Sequence, residues 1–148
     1  MKRSKCVETL DFLLNGCSEN HELINNSAAR SLIAILGHMI NEQEITEDVW
    51  NNRTIQRSFT VLMNYLIDTN GKIRKCSQDV IKQILKNQKA AKVTFAWKAL
   101  CSYLCDLLDA INEDSNTSVL QCLSFLYGII EEIPDEFIPK LFESLLQV

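Results

Sequence analysis

The segment from residue 59 to residue 85 constrains the fold of this 148-residue chain more than any other stretch. Its first half repeats apolar residues at the spacing of one helical face: Phe59, Leu62, Met63, Leu66 and Ile67. A second apolar stripe follows at Ile73, Cys76, Val80 and Ile84. Between the stripes, residues 68–71 (Asp-Thr-Asn-Gly) are typical of a tight turn. So short a link makes the two predicted helices antiparallel, and each needs further neighbours to bury its stripe. The segment therefore predicts one unit of a helical solenoid.

Helical spacing of the same kind runs through the rest of the chain. The sequence has only 4 Gly and 2 Pro, with little β-branched alternation, so an all-α fold is predicted. About seven helices are expected, near residues 7–14, 28–40, 46–67, 73–87, 93–111, 119–133 and 137–146. The third is expected to start at Thr46 and to bend at Asn51 and Asn52, and Pro134 to occupy a first-turn position. We expect residues 1–148 to form a single domain that is a segment of a longer α-solenoid of antiparallel helix pairs.

The turn and the helix after it resemble a HEAT repeat. In that family an Asp stands in the turn, and an Arg follows six residues later after a small aliphatic residue; here these are Asp68 and Arg74, with Ile73 before the Arg. The resemblance implies a HEAT/armadillo-like solenoid in which both residues are structural. Asp68 would accept bonds from helix N–H groups, and Arg74 would pair with the carboxylate of a neighbouring turn. The alternative is that Arg74 is a solvated cation.

Charge is distributed very unevenly along the chain. Residues 71–98 hold eight cations and one acid, although the whole chain has a net charge of −4. On a helix, five of these lysines, from Lys72 to Lys89, fall within an arc of roughly 100°. Lys92 follows them in the sequence. We expect these six residues to bind RNA phosphates or an acidic protein segment: Lys72, Lys75, Lys82, Lys86, Lys89 and Lys92. The alternative is a solvated lysine face, because no aromatic residue is interleaved to stack on bases.

Motifs for catalysis, cofactors and metals are missing from the sequence. It contains no glycine-rich phosphate loop, HExxH or nucleophile elbow. Cys101 and Cys105 are one helical turn apart, but His21 and His38 are distant in sequence, so both thiols are expected to be buried rather than to bind a metal. We therefore predict no enzyme activity, no cofactor, no metal and no small-molecule substrate.

Compartment is indicated by three further features. No apolar run approaches the ~18 residues of a membrane span, and no apolar signal core follows the basic N-terminal residues. Six cysteines without such a signal indicate reduced thiols. The chain is therefore expected to be intracellular and not to contact a membrane.

A closer resemblance covers residues 59–148, which are similar to the ribosomal-RNA-processing protein twelve family of nucleolar HEAT-repeat proteins. It is carried by Lys72-Ile73-Arg74-Lys75-Cys76 with the helix from Val80 to Leu85, by Ala90 to Phe95, and by Val119 to Val148. Residues 1–58 resemble HEAT repeats in general.

This resemblance implies a scaffold in ribosome biogenesis, located in the nucleus or nucleolus. It would bind a pre-ribosomal particle or RNA and assist pre-ribosomal RNA processing, subunit maturation or nuclear export. The alternative is a protein-only adaptor of armadillo/HEAT type in nuclear transport or complex assembly, which binds protein partners through the solenoid surface. The acidic net charge favours that alternative, since an RNA-binding protein is expected to be basic.

Overall fold

The computed structural model describes residues 8–9, 11–12, 14–15, 26–41, 50–90, 94–110 and 116–146. Within these ranges regular structure is helical, and the α-helices whose bounds are defined there are α1 (Asn26–Asn41), α2 (Arg53–Asn64), α3 (Gly71–Ala90), α4 (Phe95–Asp109), α5 (Asn116–Ile129) and α6 (Ile138–Leu146). Two short 3-10 helices, Ile130–Glu132 and Asp135–Phe137, connect α5 to α6. The described residues 8–15 are also helical. The predicted all-α fold is confirmed.

The chain divides into two compact units, Met1–Val93 and Thr94–Val148. In the first unit α3 contacts α1 most extensively, and α2 packs against both. Their shared core is aliphatic and aromatic, and its most deeply buried members are Ile33, Leu36, Ile55, Phe59, Leu62, Ile81, Ile84 and Leu85. Burying each such side chain contributes roughly 1.5–3 kcal/mol, so this core dominates the stability of the unit.

Contacts within the first unit repeat at a nearly constant offset along the chain. Gly37 of α1 lies against Val80 of α3, and the Asn87 amide donates to Asn41 Oδ1 at 3.0 Å. The two residues of each contact are 43 and 46 positions apart in the sequence. The later residue of α1 contacts the later residue of α3, so the two helices run parallel.

The helical residues 8–15 and α2 are related by a similar sequence offset. Asp11 Oδ1 accepts bonds from Thr54 Oγ1 and from Arg57 Nη1, both at 3.3 Å, and Asn15 Oδ1 accepts from Arg57 Nη2 at 3.4 Å. These offsets are 43, 46 and 42 positions. Each helix of one pair therefore contacts the corresponding helix of the next pair, which is the arrangement of stacked helix pairs. The offset lies within the HEAT period of about 40–47 residues. The predicted solenoid is thus confirmed from its contacts.

In the second unit, α4 packs against both α5 and α6. Trp97, Leu100 and Leu104 of α4 are buried, as are Phe125 of α5 and Leu141 of α6. Cys105 Sγ lies 3.9 Å from the carbonyl oxygen of Lys140, which places the first turn of α6 beside the C-terminal half of α4.

The bend predicted near Asn51 and Asn52 is a true helix boundary. Asn51 is in a turn, and Asn52 Oδ1 accepts bonds from the backbone N–H groups of Thr54 at 2.9 Å and Ile55 at 3.4 Å. Because this side chain caps a new helix, α2 begins at Arg53. The start predicted at Thr46 lies outside the described residues.

The end of α3 differs from the prediction. α3 continues to Ala90 rather than stopping near Asn87, because its last turns are packed: Gln88 is buried and the Asn87 amide bonds to α1.

The C-terminal helices also differ from the prediction. α5 ends at Ile129 rather than near residue 133, and the chain continues as a 3-10 helix. Pro134 forces this break, since the residue before a proline is driven to extended backbone, and Ile133 has φ −66° and ψ 124°. Pro134 itself is extended and precedes the second 3-10 helix, so the first-turn position of α6 belongs to Pro139 instead. None of the described helices is both long and apolar enough to cross a bilayer.

Candidate functional site

The turn before α3 is held together by Asp68 and Asn70. Asp68 Oδ1 accepts a bond from the Asn70 backbone N–H at 2.8 Å. Asn70 Oδ1 accepts bonds from the N–H groups of Lys72 at 3.0 Å and Ile73 at 3.3 Å, which caps α3. The capping role was predicted for Asp68, whereas the bonds to helix N–H groups belong to Asn70, a residue that sequence reasoning missed. Asp68 acts one step earlier, by shaping the turn that presents Asn70.

Three side chains on one face of α3 bond to backbone carbonyls at the end of α2 and in the turn. Arg74 Nη1 donates to the Asp68 carbonyl at 2.7 Å, and Gln78 Nε2 donates to the Leu66 carbonyl at 3.3 Å. Ser77 Oγ donates to the Leu62 carbonyl at 2.6 Å, in a buried position. Arg74 and Gln78 satisfy carbonyls beyond the end of α2. The Leu62 carbonyl also accepts the Tyr65 N–H at 3.2 Å, so Ser77 gives it a second bond. Arg74 thus makes a bond within its own hairpin, and its pairing with the carboxylate of a neighbouring turn stays a prediction.

The buried face of α3 is broader than its predicted stripe. Ile73 and Ile84 are buried as expected, but Cys76 and Val80 are only half-buried. The rest of the buried face is Ser77, Ile81, Leu85 and Gln88. The face is broad because α3 packs against two helices, α1 and α2, rather than one. This packing fixes the orientation of α3 and therefore the direction in which its lysines point.

The lysines lie on the opposite face of α3. Lys72, Lys75 and Lys86 are exposed, and Lys82 is half-buried at the border of the packed face. We call these four residues the lysine face. Asp79 is exposed at the same side, four positions after Lys75 and three before Lys82, and it reduces the positive charge there. Lys89 is in the last turn of α3 with its side chain outside the described residues, and Lys92 also lies outside them.

Three thiols in the second unit are buried, as the sequence predicted for Cys101 and Cys105. Cys122 of α5 is the third. Burial, with a smaller contribution from Cys105, raises the pKa of Cys101 to about 12 and that of Cys122 to about 11. Nucleophilic chemistry requires the thiolate, so both thiols are unreactive near neutral pH. Among the described residues, no cluster of three or more His, Cys, Asp or Glu has the geometry to hold a metal ion.

Both tryptophans belong to the core. Trp50 is buried with its ring edge-on to Phe59, the centroids 5.6 Å apart, and Trp97 is buried in the second unit. Neither ring is available to stack on a ligand.

Comparison with known families gives one match that covers most of the chain. A family model described as RRP12-like, N-terminal HEAT repeats matches residues 1–117. The match includes residues 1–58, which the sequence related only to HEAT repeats in general, and it ends before Val119 to Val148, one of the segments on which the closer resemblance was based. No solved structure matches the chain. The repeating helix pairs of the first unit agree with that description, and the chain belongs to the family of RRP12-like N-terminal HEAT repeats.

Proposed function

We propose that this chain is a non-enzymatic HEAT-repeat scaffold in ribosome biogenesis, and that its lysine face binds RNA of a pre-ribosomal particle in the nucleus or nucleolus. The family membership supports the scaffold role. The contact with RNA rests on one observation, which is the set of lysines on the solvent side of α3.

The lysine face has the form of a phosphate-binding ridge. Its first and last members are Lys72 and Lys86, and at 1.5 Å per residue they are about 21 Å apart along the helix axis. Because the buried side of α3 is fixed against α1 and α2, the lysines are displayed in one direction without a folding transition. A pre-arranged row of cations attracts a nucleic-acid backbone and releases its counterions.

The chemistry of the ridge predicts the kind of RNA binding. The sequence of α3 contains no aromatic residue, so bases have no platform for stacking. Asp79 within the face lowers its charge. Binding should therefore be to phosphates, moderate in affinity, indifferent to base sequence and steeply dependent on salt.

Charge reversal on the lysine face tests the proposal. We would measure binding of a fluorescein-labelled synthetic RNA hairpin to the intact chain by anisotropy while the salt concentration is raised. A chain that neutralises three or four phosphates should give a slope of log affinity against log salt of about −2 to −4. The variant Lys72→Glu/Lys75→Glu/Lys86→Glu changes three exposed residues, so it should fold normally and lose RNA binding altogether.

The matched control is Arg30→Glu/Arg53→Glu/Lys98→Glu, which makes the same change in net charge at three exposed cations outside the lysine face. This control should retain most of the affinity. RNA binding by the lysine-face variant that equals the unmodified chain at low salt would refute the proposal, and so would equal losses in both variants.

A protein-only adaptor is the second candidate, and the net charge of −4 together with Asp79 in the lysine face favours it. An adaptor of this kind should show no salt-sensitive RNA binding. It should be captured from cells in a stable protein complex. Capture with and without nuclease separates the two functions, since a complex assembled on RNA is lost on digestion and a protein-only complex is not.

A further inference from the structure

An apolar groove lies between α5 and α6, in the second unit. It has a volume of about 360 Å³, near the lower end of the range for ligand pockets. One wall is a stripe on α5 and the residue after it: Leu123, Leu126, Tyr127 and Ile130. The other wall is a stripe on α6: Ile138, Leu141, Phe142 and Leu145. Both stripes have the spacing i, i+3, i+4, i+7, and Ile133 lines the groove from the connection between them. We call this site the α5–α6 groove.

Large apolar side chains in the groove are open to solvent. Leu126 and Leu141 are buried, whereas Tyr127 is 82% exposed, Phe142 57% and Ile130 56%. Single exposed apolar residues are ordinary, but a concave cluster of them marks an interaction site. The paired walls have the form that receives one amphipathic helix, which places its own apolar stripe between two others.

Charge around the groove restricts what can occupy it. Residues 116–146 carry five carboxylates and one lysine, the exposed Lys140 of α6. Four of the carboxylates, Glu131, Glu132, Asp135 and Glu136, are in the connection between α5 and α6, and Glu143 directly follows Phe142. An occupant must therefore offer an apolar stripe and positive charge together.

This requirement excludes two other occupants. RNA has no apolar stripe and is repelled by the carboxylates. A second copy of the chain that paired groove to groove would bring two acidic rims together. The lysine face of a second copy has the required positive charge but offers no apolar stripe. The exposed residues there are polar: Lys72, Lys75, Asp79, Gln83 and Lys86.

We propose that the α5–α6 groove is a docking site for a basic amphipathic helix of a protein partner. The helix would insert large apolar side chains at i, i+3, i+4 and i+7 between Tyr127 and Phe142. Its Lys or Arg residues would face the carboxylates of the connection. This surface is separate from the lysine face, and RNA binding can fail without affecting it.

A designed peptide can serve as the probe. It is a labelled helical peptide of about 15 residues with Leu at i, i+3, i+4 and i+7 and Lys on its other face. We expect saturable binding to the intact chain in anisotropy at an ionic strength of about 0.15 M. A peptide with Glu in place of Lys, and one with Ser in place of Leu, should each bind at least tenfold more weakly.

Variants of the chain locate the binding. Tyr127→Ser/Phe142→Ser alters two exposed residues and should weaken binding of the Leu/Lys peptide at least tenfold, while Leu120→Ser, an exposed residue of α5 outside the groove, should not. Asp135→Asn/Glu136→Gln should weaken binding several-fold, and the control Asp106→Asn/Asp109→Asn on α4 should not. Circular dichroism checks that each variant is folded.

Three results would overturn the proposal. The first is equal binding of the Lys and Glu peptides, and the second is unchanged binding of the Leu/Lys peptide by the Tyr127→Ser/Phe142→Ser variant. The third is a dimer in sedimentation that the same variant dissociates, because the groove would then be covered by a second copy. The Tyr127→Ser/Phe142→Ser variant should keep the RNA affinity of the unmodified chain, since the lysine face belongs to the first unit.

Discussion

Gly37 of α1 lies so close to Val80 of α3 that a Cβ atom at position 37 would stand 2.4 Å from Val80 Cγ1. Real Cβ atoms essentially never approach another atom within 3.0 Å, and the atom it would meet belongs to a branched side chain that is stiff at χ1. The missing side chain at Gly37 therefore allows the two parallel helices to approach, which sets the spacing between successive repeats in the first unit.

We expect Gly37→Ala to destabilise the chain. In a free helix this change is favourable by about 1 kcal/mol, but overpacking a tight contact costs typically 1–3 kcal/mol. Urea denaturation followed by circular dichroism measures the difference. The double variant Gly37→Ala/Val80→Ala removes the clashing methyl groups and should recover stability relative to the sum of the two single changes. Strict additivity would mean that the contact does not limit the packing of α1 on α3.

Ser77→Ala should lower the free energy of unfolding by about 1–2 kcal/mol. The reason is that the Leu62 carbonyl loses the hydroxyl that lies 2.6 Å away, in a place that water does not reach. Ser102→Ala, at an exposed position of α4, is the matched control and should stay within about 0.5 kcal/mol of the unmodified chain. Equal effects of the two changes would deny Ser77 its role in the hairpin.

Asn70→Ala should destabilise the chain by about 1 kcal/mol, because the first N–H groups of α3 lose their acceptor. Asn70→Asp keeps an oxygen in place and adds negative charge at a helix N-terminus, so it should be nearly neutral or slightly stabilising. Thermal melts of the two variants give the comparison. If Asn70→Asp lowers the melting temperature as much as Asn70→Ala does, the cap does not act through this oxygen.

Alkaline pH should destabilise the second unit through its thiols. The pKa of Cys101 is raised to about 12 and that of Cys122 to about 11, from the ordinary thiol value of 9.0, chiefly by burial. Burial and the Cys122 thiol raise the pKa of Tyr103 as well. Well below pH 9 the thiols are protonated in both states and contribute no pH dependence. Above it the unfolded chain loses protons that the folded chain keeps, so stability falls by up to about 1.4 kcal/mol per pH unit for each thiol.

Denaturation midpoints measured from pH 8 upward test this linkage. The variant Cys101→Ala/Cys122→Ala is the control, and its stability should fall less steeply between pH 9 and 11 than that of the unmodified chain. Parallel curves for the two proteins would contradict the assignment to these thiols.

Asp79→Asn should strengthen RNA binding, if the lysine face is the binding surface. The change removes the carboxylate from a row of cations and leaves the size of the side chain unaltered. We expect an affinity gain of several-fold at low salt that shrinks as salt is raised. Asp106→Asn, on an exposed position of α4, removes the same charge elsewhere and should have a smaller effect.

Local signals were sufficient to predict the helices and the hairpin turn. The helical spacing around Phe59 and Ile73 and the turn residues before Gly71 act over only a few positions, and the structure has the predicted elements there. At Asn51 and Asn52 the sequence predicted only a bend, and the structure has a helix boundary there because the Asn52 side chain caps α2. Lys72, Lys75 and Lys86 were correctly separated from the apolar stripe, because their positions on a helix follow from sequence alone.

Tertiary packing decided what the sequence left open. Ile81 and Leu85 were not assigned to the buried stripe, because the predicted stripe covers a single narrow face, whereas α3 buries the sides that contact both α1 and α2. Ser77 was not assigned to the buried face, since only the position of the Leu62 carbonyl gives this polar residue a reason to be buried. The α5–α6 groove depends on how two stripes face one another, and each stripe taken alone reads as ordinary core.

The bonds from Arg74, Ser77 and Gln78 also bear on the order in which the chain folds. They close loops of only 6, 15 and 12 positions, whereas the α1–α3 contact at Asn41 and Asn87 spans 46. Closing the longer loops costs roughly 1 kcal/mol more in chain entropy than closing the shorter ones. The α2–α3 hairpin can therefore form as a local nucleus, and α1 joins it once there is a surface to receive Gly37.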